Sequence, residues 1–466
     1  MAIIDPAIIE HNRQAQDAAA SGTQTLQQTA GSGFSRSGFI LAAIGSSVGL
    51  GNMWKFPYIT GMYGGAAFFL LFIVCLVLIG LPILLAELAI GRGGRGDTST
   101  SFDRLSRNRI WGRLGFLSVI GAFIIMSFYA VVAGWTLHYT AISFSGSLYD
   151  GRDYSAIFAS FTSGWAPLYW QFAVMAICTF VLYKGIAKGI EAFNKVLIPL
   201  LVIILIVLMV RALTLPNAMD GVRFFLEPDF SKLTPQSALV ALGHAFFSLS
   251  LGMGTMLTYG AYVDKKQSLP TASWAIGAGD LLYALLAGLI IFPTAFSIGM
   301  EPGQGPGLVF MALPGAFQAM PFGGLISGFF FIVLAVAALT SAVSILEVPV
   351  AYARNKWDWS RNKAVVWVGV IVFLVGIPAA LSVGGPLGDA TLLGKTFFDW
   401  MDYLSANVLL PIGGMVVTLF AGYAWKRAGE EAGISGVIYR VWMIMLRYVA
   451  PIIILLIFLH SIGLLG

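Results

Sequence analysis

Apolar runs close to the length of a membrane crossing recur along this chain, separated by short polar loops. They fall near Phe39–Thr60, Ala67–Ile90, Leu114–Phe144, Trp165–Leu182, Val196–Leu213, Ser237–Tyr262, Trp274–Ile298, Leu325–Tyr352, Val365–Leu381, Asp402–Ala424 and Val441–Leu464. About 20 apolar residues in a helix cover a hydrocarbon core of roughly 30 Å. In lipid no water satisfies backbone N–H and C=O groups, so each run predicts a helix. The pattern predicts an all-α membrane protein with about eleven transmembrane helices. Residues 1–35 are polar, rich in Ala, Gln, Ser and Gly, and carry no apolar signal-peptide core. They bury too little apolar surface to fold and are expected to form a mobile cytoplasmic tail. Residues 36–466 then form the membrane domain, with helices 1–5 at about 37–213, helices 6–10 at about 237–424 and helix 11 at about 441–464.

Two spans depart from the pattern in the same way. The first contains Gly45-Ser46-Ser47-Val48-Gly49-Leu50-Gly51-Asn52, and the sixth contains Ser248-Leu249-Ser250-Leu251-Gly252-Met253-Gly254. Glycine costs a helix interior about 1 kcal/mol relative to alanine. Clustered mid-span beside hydroxyl side chains, the glycines predict a break in each helix. Two such segments, five spans apart, point to the midplane site of a secondary transporter. Close helix packing through small residues is the competing reading.

Composition and charge narrow the picture. Apolar residues make up 58% of the chain and charged residues 11%, against roughly 25% charged in soluble domains. The net charge of +5 does not indicate a nucleic-acid partner, because the basic residues sit in alternate short loops. Arg92, Arg95, Arg104, Arg107, Arg109 and Arg113 follow the second span. Lys184, Lys188, Lys265, Lys266, the stretch from Arg354 to Lys363, Lys426 and Arg427 fall on the same side. The opposite loops hold only Arg152, Arg223, Lys232 and Lys395. The positive-inside rule then places the N-terminus in the cytoplasm and the C-terminus outside, in a multi-pass protein of the cell membrane. Cys75 and Cys178 lie inside apolar runs and suggest neither a disulfide nor a metal site. His138, His244 and His460 lie in separate spans, and no nucleophile–base or metal-ligand spacing stands out, which argues against an enzyme.

At the broken spans the sequence resembles the neurotransmitter:sodium symporter family, with its LeuT-type fold. The run Gly49-Leu50-Gly51-Asn52-Met53-Trp54-Lys55-Phe56-Pro57 resembles the family's helix-1 signature. Phe246 to Gly252 resembles its helix-6 break, and Ala338-Leu339-Thr340-Ser341 its helix-8 sodium motif. Gly185-Ile186-Ala187-Lys188-Gly189-Ile190-Glu191, followed by Pro199, is similar to its helix-5 segment. The resemblance runs from about Phe34 to the end, without the twelfth helix of many members, as in bacterial eleven-helix amino-acid:sodium symporters. It implies a 5+5 inverted repeat with helices 1 and 6 broken around one central site.

The resemblance also implies a ligand set. Sodium is a hard cation that takes oxygen ligands, and broken helices free carbonyls to supply them. The first sodium site is expected at Ser47, Asn52, Ser248 and Asp280, completed by the substrate carboxylate. The second is expected at Gly45, Val48, Ala337, Thr340 and Ser341. The substrate carboxylate is expected at the amides of Leu50 and Gly51 and at the hydroxyl of Tyr129. Carbonyls near Phe247 and Ser250 would take its ammonium group. Leu50, Ile125, Phe247, Met253 and Ile345 are expected to line the side-chain pocket, with Ser250 and Ser344 at its edge. Monoamine carriers of the family have Asp at the position of Gly49, so glycine implies a substrate that brings its own carboxylate. None of the lining residues is charged, which favours a small neutral, mostly apolar amino acid.

Charged residues at membrane depth, namely Lys55, Glu87, Asp280, Glu347 and Asp402, are expected to have partners or a role. Lys55 and Asp402 resemble the family's outer gate pair, with Lys in place of the usual Arg. Glu87 resembles a carboxylate that satisfies the free amides of broken helix 6. The inner gate pair is missing: its positions read Ala30, Gly33 and Asn355, with Phe34 and Arg36 as candidate substitutes. The chloride donors of chloride-dependent relatives are replaced by Phe72, His244 and Ala284, while Asp280 supplies a fixed negative charge. The expectation is a sodium-coupled symporter that imports L-amino acids by alternating access, with two sodium sites, no chloride and possible proton antiport through Asp280. A proton-coupled carrier of related fold, or a substrate-gated channel or sensor, are the alternatives.

Overall fold

The computed structural model describes residues 33–106, 108–149, 153–299, 308–318 and 322–464. Among them, nine helices are long and apolar enough to cross a membrane. These are α2 (Ala66–Gly94), α3 (Ile110–Ser145), α4 (Ala166–Tyr183), α5 (Ile186–Leu213) and α7 (Leu269–Ser297), then α8 (Gly323–Trp357), α9 (Arg361–Ser382), α10 (Phe397–Ala424) and α11 (Gly436–Ser461). The first and sixth segments are each in two pieces. Helix α1a is Arg36–Ser47, and α1b runs from Gly51–Lys55 into Phe56–Met62. Helix α6a is Pro235–Ser248 and α6b is Thr255–Ala261. At 1.5 Å per residue no single half reaches across a bilayer. No strand occurs among the described residues; Leu392 and Lys395 form an isolated bridge in the loop before α10.

Burial separates an inner core from an outer ring. The apolar stretch of α8 is 89% buried within the protein, whereas that of α5 is 33% buried. Helix α8 packs most extensively against α3, and α1a lies against α5, α7 and α8. The outward faces of α4, α5 and α9 carry exposed Phe172, Phe180, Ile203, Val207 and Leu374, as a lipid-facing surface requires.

The sequence-predicted spans and the observed helices differ mainly at their ends. Helix α5 begins at Ile186, ahead of the expected Val196, because Lys188 and Glu191 interrupt the hydropathy of its first turns without interrupting the helix. Residues 1–32 of the expected mobile tail lie outside the described residues. Its last residues are fixed: Phe34 is 7% exposed, and the Ser35 hydroxyl caps α1a by accepting from the Gly38 N–H at 3.1 Å. Phe34 and Ser35 thus pack with the first membrane helix and its neighbours.

Local chemistry explains both breaks. Helix α1a stops at Val48, whose ψ of 78° leaves the helical region, and the Gly49 N–H turns back to the Ser47 carbonyl at 2.9 Å. In α6 the chain passes through left-handed conformations at Ser250, Gly252 and Gly254, with φ of 55°, 80° and 79°. At Gly252 a Cβ would also lie 2.3 Å from the Leu410 carbonyl oxygen, so only glycine fits. Two of the backbone groups released here take side-chain partners. Glu87 of α2, fully buried, accepts from the Gly252 N–H at 2.7 Å. The Ser250 hydroxyl donates to the Ser46 carbonyl at 3.0 Å and ties one break to the other. Glu87→Leu should therefore lower stability by about 1–3 kcal/mol, the cost of leaving a buried donor unpaired. Glu87→Gln, which keeps an acceptor, should lose less; unfolding in detergent compares the two.

Candidate functional site

A small cavity lies where the two breaks face each other. Leu50, Gly51, Ser47, Ser46 and Gly49 line it from α1, and Phe247, Ser248, Ser250 and Met253 from α6. Ile125 and Tyr129 of α3 and Ser341 and Ile345 of α8 complete the wall. Its volume of ≈ 20 Å³ has room for about one water. The cavity is contracted around a space that larger ligands enter only as its walls move. The sequence-predicted substrate residues converge here with one exception. Ser344 is turned away: its hydroxyl lies 2.7 Å from that of Ser46 and donates to the Ser341 carbonyl at 2.7 Å. At Gly49 a Cβ would approach the Ser341 hydroxyl to 2.9 Å and the Tyr129 hydroxyl to 3.5 Å, so an acidic side chain has no space there. The Tyr129 hydroxyl is buried and makes no hydrogen bond of normal geometry.

Two groups of oxygens flank the cavity. In the first, Asn52 Nδ2 donates to Asp280 Oδ1 at 2.7 Å. The Ser248 hydroxyl lies 2.7 Å from Asn52 Oδ1 and 2.6 Å from Asp280 Oδ1. That hydroxyl has one proton for two acceptors. Asp280 is fully buried and its Oδ2 has no partner. A buried carboxylate short of donors is a site that a cation suits. The Ser47 hydroxyl takes no part and donates to the Ala43 carbonyl of its own helix at 3.1 Å. In the second group, the Ser341 hydroxyl bridges the Gly45 and Ser46 carbonyls at 3.3 and 3.2 Å. The Thr340 hydroxyl donates to Val336 and Ala337 carbonyls at 3.1 Å. Val48, 2% exposed, ends α1a beside them. Both groups consist of neutral or anionic oxygens, the donor set that suits a hard monovalent cation, and neither offers the nitrogen or sulfur ligands of a transition-metal site.

On the α1b side a wide vestibule of ≈ 770 Å³ leads down to Leu50, Gly51, Tyr129 and Phe247. Lys55 and Asp402 face each other across it without an ion pair among the described residues. The Lys55 ammonium sits 5.7 Å over the Phe247 ring. The expected outer gate pair is thus apart, and Phe247 lines both the vestibule and the cavity. At the positions matching chloride donors, His244 stacks on Phe56 and meets Phe72, with centroids 5.5 and 5.1 Å apart.

The α1a side is closed by several contacts. Phe34 packs between Phe39, Tyr259 and Tyr262, at 6.0, 5.2 and 6.3 Å. Asn355 donates to Asp97 Oδ2 at 2.8 Å, so the residue at the family's acidic gate position is engaged elsewhere. Glu347, which the sequence left without a partner, forms a two-pronged pair with Arg361 at 2.9 and 2.8 Å. The Tyr262 hydroxyl donates to the same carboxylate at 2.8 Å, and Arg361 Nε donates to the Leu182 carbonyl at 2.9 Å. This network joins α4, α6b, α8 and α9. In the sequence Arg361 reads as one of the loop cations between Arg354 and Lys363, which hides this pairing. An arginine about 14 residues beyond a buried glutamate, across one turn between two spans, was the available signal.

A central cavity between two broken helices, flanked by oxygen clusters, defines a membrane transporter of the broken-helix class. The family profile described as "Sodium:neurotransmitter symporter family" matches residues 33–152 and 157–465. The chain belongs to this family and is a sodium-dependent transporter. It is 41% identical to the uncharacterized sodium-dependent transporter YhdH of Bacillus subtilis, over 93% of this chain and 98% of that one. A second relative, an uncharacterized sodium-dependent transporter of Haemophilus influenzae, is 36% identical over 92% of this chain and 97% of that one. Among solved structures, MhsT in complex with L-phenylalanine superposes with a TM-score of 0.85 at 44% identity, covering 92% of this chain and all of that one.

Removing one partner of a buried pair leaves the other charge uncompensated. Arg361→Met should cost about 3–5 kcal/mol, and adding Glu347→Met should recover part of it. A double-mutant cycle on unfolding midpoints in micelles checks this, and additive losses would show that the pair does not couple.

Proposed function

We propose that this protein is a sodium-coupled symporter that imports neutral, mostly apolar L-amino acids by alternating access. The observation that carries the reading is the cavity wall itself. Its walls bring together uncharged side chains, the Tyr129 hydroxyl and the amide-bearing turn at Leu50 and Gly51, beside the buried carboxylate of Asp280. An amino acid's carboxylate suits the amides and the tyrosine, and its ammonium group suits the carbonyls released near Phe247 and Ser250. Charged side chains would lose hydration without finding partners. L-phenylalanine, held by MhsT, is of this class.

On this reading the first sodium takes Ser47, Asn52, Ser248 and Asp280, displacing the mutual hydrogen bonds of the last three. The second takes Gly45, Val48, Ala337, Thr340 and Ser341. The substrate carboxylate completes the first site, so each ligand raises the other's affinity. Two sodium charges crossing about 100 mV release roughly 4.6 kcal/mol, enough for about a thousandfold accumulation. Asp280 supplies the negative charge that an anion would otherwise bring, and a second anion a few Å away would be repelled. Transport therefore needs no chloride, and the freed carboxylate can carry a proton on the return step. The chain crosses the cell membrane about eleven times, with the N-terminus cytoplasmic and the C-terminus outside.

Uptake of labelled amino acids into proteoliposomes, with and without a sodium gradient, tests the reading; accumulation indifferent to sodium would sink it. Replacing chloride by gluconate should leave uptake unchanged, and Asp280→Asn should abolish most of it. Tyr129→Phe should weaken amino-acid binding by about 1.5–3 kcal/mol, the range for a hydrogen bond to a charged group. Thr340→Ala and Ser341→Ala should each raise the sodium concentration needed for half-maximal binding.

A further inference from the structure

The first half of α1 lies on α5 through two glycines seven residues apart on one helix face. A Cβ on Gly38 would fall 2.1 Å from Glu191 Cδ, and one on Gly45 would fall 2.1 Å from Asn194 Oδ1. Polar side chains of α5 thus occupy the places where α1a carries none. The grip is strongest at the start of α1a. Glu191 accepts from the Ser35 N–H at 2.8 Å and from the Ser35 hydroxyl at 2.6 Å. Its carboxylate therefore sits at the end of α1a where unpaired amides and the helix dipole favour an anion. Lys195, one turn further along α5, donates to the same carboxylate at 2.5 Å and keeps it on α5. The glutamate side chain is 7% exposed and the lysine side chain 43% exposed, so the contact lies at the rim, where water can replace it.

We propose that Glu191 is the latch that holds α1a against α5 and closes the α1a side, and that its release from Ser35 opens that side in each transport cycle. The inference rests on the alternating-access reading. It fills the place of the family's inner ion pair, whose positions include Gly33 and Asn355 in this chain. Glu191 and Lys195 act as positioning residues and touch no ligand. Phe34, fixed by the aromatic rings of α6b, holds the same end of α1a to a second neighbour. A moving α1a must therefore let go of both α5 and α6b.

Ala42 reports the movement. It is fully buried on the α1a face between Gly38 and Gly45, and contributes nothing to the cavity wall. In the full-length protein in nanodiscs, with Cys75→Ser and Cys178→Ala, labelling of Ala42→Cys by a water-soluble maleimide is followed in sodium and in potassium. Sodium should slow labelling of the parent. Glu191→Gln should speed labelling in sodium about tenfold, and Ser35→Ala, which keeps the backbone bond to the carboxylate, should speed it less. Cys178, buried in α4, is labelled in a parallel protein that retains it and lacks the reporter; its rate should not change. Equal rates in parent and latch variants, or a matching rise at Cys178, would overturn the latch, the second result marking general loosening. Should Glu191→Gln fail to fold, Ser35→Ala carries the test by the same criterion. A parent whose labelling ignores sodium removes the alternating-access reading and the latch with it. A sodium-sensitive parent with unresponsive variants removes the latch alone.

Discussion

Backbone groups released inside an apolar medium are the constraint on which this structure depends. A helix that stops mid-membrane leaves amides and carbonyls with no water to turn to, and each must find a partner within the protein. Here the partners are few and specific. Glu87 takes the Gly252 amide, the Ser250 hydroxyl takes the Ser46 carbonyl, and the Ser341 hydroxyl spans two carbonyls of α1a. At the centre two buried side-chain atoms remain without a partner: the second oxygen of Asp280 and the hydroxyl of Tyr129.

The same scheme links the halves of the molecule. Ser46 and Ser344 join α1a to α8, and Asn52, Ser248 and Asp280 join α1b, α6a and α7. An ion placed in either oxygen group contacts helices from both repeats at once. On the proposed sodium reading, cation binding and the relative position of the repeats are one equilibrium, in which a ligand shifts populations by its differential affinity for the two arrangements.

Much of this was legible from residue order. The glycine and hydroxyl clusters located both breaks, since their cost in a helix is local. The family motifs brought nearly all the cavity residues together, Ser344 excepted, because its hydroxyl prefers Ser46 to the cavity. Hydropathy placed the spans but not the start of α5, where Lys188 and Glu191 are helical in spite of their charge. The partner of Ser35 was not legible, and that of Glu347 only as an arginine 14 residues further along. Arg361 and Glu191 reach them across the tertiary structure, and no periodicity encodes a contact between residues 156 apart. The separation of Lys55 from Asp402 was equally invisible, since it depends on which conformation the molecule occupies.

Phe247 lines both the vestibule and the cavity, and its ring fills the space beside Gly51, where a Cβ would lie 2.9 Å from it. A molecule arriving from the vestibule meets this ring together with Leu50, Gly51 and Tyr129. On the proposed transport reading, a ring that must turn to admit a solute paces association by a side-chain motion instead of by diffusion. Departure waits on the same motion, which lengthens residence without adding a contact. Selectivity acquires a temporal component: a solute that leaves the vestibule faster than the ring turns is rejected without ever being bound.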